Sequence, residues 1–269
     1  MNKIILKKII YTYHQIVKNF VSYFNRNNIK KDLLNKFLGL NIETINICNA
    51  NCTFCAYQYQ TRDTGVMDMD LFKKIIHEYV EIGGGDLGLG PTVGDPLADK
   101  YIIERIKFAR TFNKINNIGF FSNLIALGRF NIKDFVNSGL TNLMISTSGF
   151  DEDMYLRVYR SKQYKKMFNN LINLLKENVK SGKPIDILVD MRTDKSLKET
   201  LNFPDYKKLL KYLPPDKINC KFRYDDWAGK IKKSDLTGEM KIRNMMASMR
   251  FRYSACFEYF NGPSIYWNG

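Results

Sequence analysis

Histidine is nearly missing from this sequence: His14 and His77 are the only two in 269 residues. A structural zinc site takes four nitrogen or sulfur ligands, and neither histidine stands at a spacing that completes such a set. Long apolar runs are missing as well. No stretch holds the roughly 18 apolar residues that a membrane-spanning helix needs. The first apolar segment is broken by Lys7 and Lys8 and has no small-residue cleavage site after it, unlike a signal peptide. Glycine or serine tracts and internal repeats are absent, which excludes a solenoid or a low-complexity chain. Cysteine is scarce and odd in number, five in all. That argues against a secreted disulfide framework and for metal or redox chemistry in a reducing compartment, so a cytoplasmic protein is expected. Acids are also in deficit, 27 against 42 Lys and Arg, for a net charge of +15.

That excess would suit a polyanion such as nucleic acid, but its distribution does not. Residues 1–39 carry eight cations against one acid, Asp32, and hold nearly half of it. The rest is spread over lysines that flank apolar helix positions, as a solvated helix face would be, so no nucleic-acid partner is expected. In the same segment Ile5, Ile9, Tyr13, Ile16, Phe20 and Phe24 recur at steps of three and four. The spacing predicts a basic amphipathic helix that packs on the protein or lies on an anionic membrane surface.

From residue 40 short apolar runs alternate with helical periodicity. Strands are predicted in "LNIETINI" (40–47), within the glycine-rich strand and loop "GDLGLGPTVGDP" (85–96), and in "NIGFFSN" (117–123), "TNLMISTSG" (141–149), "IDILVDMR" (185–192) and "INCKFRYDDW" (218–227). Helices are predicted between them, the first at 69–83, capped by Asp68, with Leu71, Ile75, Ile76, Tyr79 and Val80 as its apolar face. Strands separated by single helices imply right-handed parallel crossovers. The expected fold class is therefore α/β, a parallel sheet or a complete or partial barrel, with its chemistry at the carboxyl ends of the strands.

Cys48, Cys52 and Cys55 begin where the first predicted strand ends. Scattered core cysteines would not be packed this way. Thiolates on several iron corners can be supplied by one compact loop. Three of them would leave the fourth iron of a cube open, the mark of a catalytic rather than a structural centre. Cys220 sits mid-strand and reads as a core residue.

At these residues the chain resembles the radical SAM superfamily, whose signature is three cysteines spaced by three and then two residues with an aromatic before the last, here Phe54. The likeness runs over about residues 40–230. It implies a partial (β/α)6 barrel, a [4Fe-4S] cluster on the three cysteines and S-adenosylmethionine on the open iron. It also implies reductive cleavage to a radical that takes a hydrogen atom from a peptide, protein or sugar-like substrate, fed by an electron donor such as flavodoxin or ferredoxin. The family's glycine-glycine-acid-proline loop has its counterpart in Val93, Gly94, Asp95 and Pro96, with valine in place of the first glycine. Ser122 and Asn123, and Ser146 and Ser148, stand where the family's third and fourth strands end in residues facing the cofactor, and Arg192 where a bidentate donor to its carboxylate would be. Asp86 is read as preceding its strand and is given no role, nor are Tyr164, Lys165 and Lys166. A weaker likeness to the SPASM-like branch covers the last forty residues. Cys256 and Gly269 match half of an auxiliary-cluster motif, so Cys256 is an expected auxiliary ligand in a longer chain. The expected division is 1–39, an amphipathic extension; 40–230, the core; and 231–269, an incomplete C-terminal extension. The alternative from another class is a non-catalytic iron–sulfur or zinc protein that keeps the fold as an interaction module.

Overall fold

The computed structural model describes residues 39–243 and 262–269. Two compact units divide the chain, Met1–Gly39 with Asn244–Pro263, and Leu40–Arg243 with Ser264–Gly269. The description below is of the second. The expected helix within 1–39 and Cys256 lie outside the described residues.

Strands β1 (Gly39–Ile42), β2 (Gly85–Gly88), β3 (Ile115–Ser122), β4 (Asn142–Ser148), β5 (Asp186–Arg192) and β6 (Ile218–Lys221) lie in one parallel sheet. Helices α1 (Met69–Glu81), α2 (Ile102–Ala109), α3 (Ile132–Val136), α4 (Glu152–Tyr159) and α5 (Tyr164–Lys180) follow the first four strands. Short α6 (Leu197–Thr200) and α7 (Pro204–Leu209) lead from β5 to β6. The sheet order is β6-β5-β4-β3-β2-β1, and it stays open, as in a partial barrel. Alternate residues face opposite sides of it. Phe120, Leu143 and Ile187 share a row and are buried under the helices, Phe120 edge-to-face with Phe135 of α3 at 6.4 Å. The residues between them face the other side. Asp68 caps α1 by accepting from the Asp70 and Leu71 amides, and the helix buries Phe72, Ile75, Ile76 and Tyr79, while Leu71 and Val80 are only half-buried.

Three strand expectations change. The first strand stops at Ile42 rather than Ile47, because residues 43–47 turn to meet the chain returning from the cysteine loop. Ile45 bridges Val66, Asn46 bonds the Gly65 amide and the Asp63 carbonyl at 2.8 Å each, and Glu43 takes both guanidinium nitrogens of Arg62 at 2.8 Å. Asp86 lies inside β2, not before it, and accepts from the Asn117 side chain at 3.0 Å. The sixth run breaks after Lys221; a two-residue β7 (Arg223–Tyr224) pairs separately with β8 (Lys241–Ile242).

A seventh strand of the sheet was not expected. β9 (Ser264–Ile265) pairs in parallel with β1, and the Glu43 amide donates to the Ile265 carbonyl at 2.9 Å. Trp267 then lies against Gly65, where a Cβ would meet its ring at 2.5 Å, and Arg62 stacks on Tyr266 at 4.6 Å. The compact unit thus runs past residue 230 to Arg243 and takes back residues 264–269. Among the described residues no helix is long and apolar enough to cross a membrane.

Candidate functional site

The cysteine loop is held from three sides at the carboxyl ends of the strands. From α4, the Tyr159 and Val158 carbonyls accept from the Asn51 and Thr53 amides at 3.3 and 2.9 Å. From the loop after β2, the Asp95 amide donates to the Ile47 carbonyl at 2.9 Å. Beyond β6, the Trp227 indole N–H donates to the Phe54 carbonyl at 3.2 Å. Phe54 itself stacks on Tyr224 at 5.1 Å and meets Tyr159 edge-on at 5.5 Å.

Cys48, Cys52 and Cys55 are free thiols. Burial pushes all three up, Cys48 to about 12 with Asp95 as a second cause, while Arg192 pulls Cys52 and Cys55 the other way. Burial therefore favours the protonated thiols over the thiolates. A metal that binds the loop must displace protons, as coordinating thiols require. Donors already point at two sulfurs, the Tyr57 amide at Cys55 Sγ (3.5 Å) and Asn123 Nδ2 at Cys48 Sγ (3.7 Å). Among the described residues no three His, Cys, Asp or Glu side chains converge as they would on a single ion. A cube held at three irons asks for something else, thiols set apart with one at each corner.

The loop Val93, Gly94, Asp95, Pro96 lies against the cysteine loop. Gly94 has φ +140°, and a Cβ there would meet the Asn46 backbone at 3.1 Å, so the close approach needs glycine. Val93 and Pro96 are buried. Asp95 is tied into the fold. Its carboxylate accepts from Ser122 Oγ (2.9 Å), the Asn123 amide (2.7 Å) and the Leu97 amide (2.9 Å) and is 2 % exposed. Burial raises its pKa against those bonds. It is a bracket joining this loop, the cysteine loop and the end of β3. Ser122 and Asn123 are drawn in with it, Asn123 reaching on to Asn49 Oδ1 at 2.8 Å.

Ser146, Ser148 and Arg192 come together, since β4 and β5 pair Ser146 with Asp190 and Ser148 with Arg192. Ser146 Oγ meets Tyr159 OH at 2.9 Å. Arg192 lies over Phe54 at 5.2 Å and Tyr224 at 5.6 Å, with Asp190 at 3.7 Å. Sequence reasoning missed two tyrosines. Tyr155 and Tyr159 stack at 4.8 Å, and the charges of Cys52, Asp95 and Cys48 help raise the Tyr155 pKa after burial does. Their spacing of four in "MYLRVY" put both on one helix face, which reads as ordinary core.

Four polar atoms here are buried and without a partner: Thr53 Oγ1, Ser148 Oγ, Tyr155 OH and Arg192 Nε. Such atoms are costly unless something outside the chain bonds them. A polar ligand beside three thiols would do so, and the residues present therefore fit an iron–sulfur cluster with a polar cofactor next to it.

The sequence matches the family model described as Radical SAM superfamily over residues 42–203. It is 27% identical over 161 residues to GTP 3',8-cyclase of Clostridium perfringens strain SM101, covering 59% of this chain and 49% of that protein, and equally to the enzyme of strain 13. The chain thus spans about half the length of the curated relatives it matches. The fold resembles that of Streptococcus suis SuiB bound to the precursor peptide SuiA, with TM-score 0.60 and 14% identity over 86% of this chain and 58% of SuiB. SuiB bound to S-adenosylmethionine gives 0.55 and 14% over 85% and 50%. At that identity the likeness is one of fold. With the match over more than half its length, the chain belongs to the Radical SAM superfamily.

Proposed function

We propose that Cys48, Cys52 and Cys55 hold three irons of a [4Fe-4S] cluster, and that the protein binds S-adenosylmethionine beside it and acts on a peptide, protein or small-molecule substrate. When bound, the pair supplies reductive cleavage of S-adenosylmethionine and hydrogen-atom abstraction. The observation that carries this reading is the conjunction of three free thiols on one loop with the unpartnered Ser148 Oγ, Tyr155 OH and Arg192 Nε.

The chain's own part is positioning and exclusion of water. Asp95 locks the cysteine loop to β3, so Gly94 and Pro96 shape the pocket by backbone rather than by a free carboxylate. Arg192 has donors to spare for a carboxylate of the cofactor, and its stacking on Phe54 and Tyr224 fixes their direction. Ser146 holds Tyr159, Tyr159 holds Tyr155 by stacking, and Ser148 and Tyr155 keep hydroxyls for the bound groups. An electron donor of the flavodoxin or ferredoxin kind, an auxiliary cluster at Cys256 in a longer chain, a cytoplasmic location and a membrane contact through residues 1–39 belong to the same proposal.

Anaerobic reconstitution tests it. The wild-type chain should hold about four irons and form 5′-deoxyadenosine when reduced. Cys48→Ala, Cys52→Ala and Cys55→Ala combined should lose both while keeping the wild-type circular dichroism. A triple variant that kept its iron and its cleavage activity would sink the reading.

A further inference from the structure

Phe120 and Phe121 are neighbours in β3 with opposite fates: the first is 4 % exposed and the second 55 %. A large aromatic left bare in the middle of a parallel sheet is unusual, because such sheets are normally covered on both faces. Phe121 is also not alone. The register pairs it with Met144 of β4, and Met144 with Leu188 of β5, both only half-buried. Three apolar side chains therefore make a continuous band across a side of the open sheet that no helix among the described residues covers. It crosses two strand spacings, roughly 10 Å, the width of one large side chain.

The rows on either side of the band are polar and electrically closed. Below it lie Gly119, Asn142 and Asp186, with Asp186 held by Lys217 at 2.6 Å. Above it lie Ser146, Asp190 and Asn219, then Ser148, Arg192 and Lys221. Buried Asp190 is bonded by Lys221 and by Asn219 Nδ2 at 3.2 Å. Among the described residues of these rows, Lys217 and Lys221 are paired with Asp186 and Asp190, while Arg192 keeps its Nε unbonded, and the proposed cofactor site uses it. Asp186 and Asp190 offset two of the three cations Lys217, Lys221 and Arg192, so these rows carry one net positive charge against the several negative charges of a nucleoside triphosphate. Asn142 and Asn219 are exposed amides flanking the band, suited to the N–H and C=O groups of a peptide backbone.

We infer that the band of Phe121, Met144 and Leu188 is the specificity surface for the substrate, and that it seats an apolar side chain of a peptide rather than a nucleotide or a sugar. This rests on the enzymatic reading above and deepens it. Successive rows are two residues apart, about 7 Å, so the band lies one row below Ser146 and two below Arg192. It anchors the peptide at a distance from the cofactor pocket and is not where hydrogen is removed.

The test uses the full reconstituted chain and fluorescein-labelled pentapeptides Gly-Ser-X-Ser-Gly, with X as Phe, Leu or Asp, followed by fluorescence anisotropy, with GTP as competitor. The Phe and Leu peptides should bind about tenfold more tightly than the Asp peptide, as burial of one apolar side chain provides. GTP should not displace them. Phe121→Ser should erase the preference and Phe121→Leu should keep it; since Phe121 is exposed already, both variants should fold. Equal binding of the three peptides, no binding of the apolar ones, displacement by GTP, or a preference that survives Phe121→Ser would each overturn the inference. So would a loss of self-association in Phe121→Ser, which would make a second copy the occupant. Iron content and S-adenosylmethionine cleavage of the wild-type chain, measured without peptide, report separately on the enzymatic reading.

Discussion

Arg105 and Arg192 are both guanidinium groups drawn into the body of the protein, and the chain treats them in opposite ways. Arg105 has no exposed surface. Its Nε donates to Asp99 at 2.8 Å, its other nitrogens reach the Asp68 and Met67 carbonyls, and its plane lies over Phe72 at 5.0 Å. Asp99 in turn caps the Tyr101 amide at 2.9 Å. Arg192 has its nearest acid at 3.7 Å, that acid is already taken by Lys221, and its Nε bonds nothing. The first arrangement is complete within the fold and exists for the fold. The second is complete only when something else arrives, and the stability forgone there is the usual mark of a binding site.

Substitutions separate the two kinds of site, and the largest effect is expected where the chain has satisfied itself. Arg105→Ala leaves Asp99 buried and unpaired, so urea unfolding should show a loss of about 3–5 kcal/mol. Arg192→Gln should hardly move that midpoint. Its effect should appear in calorimetric binding of S-adenosylmethionine to the reconstituted protein, weakened roughly 10–100-fold as for a lost charge-assisted bond. Smallest and opposite in sign are Ser148→Ala and Tyr155→Phe in the cofactor-free chain. Each removes a buried hydroxyl with no partner, so stability should stay level or rise by up to about 1 kcal/mol. The same two variants should bind the cofactor a few-fold more weakly. If either destabilised the empty chain as much as Arg105→Ala does, the contrast between the two sites would collapse.

Much of this was legible in the sequence because it is local. The spacing of Cys48, Cys52 and Cys55, the glycine at 94 and the alternation of strands and helices all show within a few residues. What escaped is what depends on distant partners. Asp95 reads as a cofactor carboxylate, and nothing near it in sequence shows that Ser122 and Asn123, 27 and 28 residues on, also bond it. The end of β1 looked like strand because "ETINI" alternates, yet those residues bond a loop returning near residue 65. Tyr155 and Tyr159 are at helical core spacing, and only their place above the cysteine loop gives them another meaning. The pairing of "SI" at 264–265 with β1 could not be read from a two-residue segment at all.

That last pairing also bears on the order of events as the chain is made. β1 carries the loop that holds the three thiols, and its outer edge is closed by residues 264–265, more than 220 positions later. At about 5–20 residues per second, a ribosome needs roughly 10–45 seconds to cover that distance. For that interval the nascent strand has one unpaired edge, open to pairing with other chains, and the segment that seats Trp267 against Gly65 does not yet exist. Loading of iron during synthesis would thus meet a different neighbourhood from loading after release.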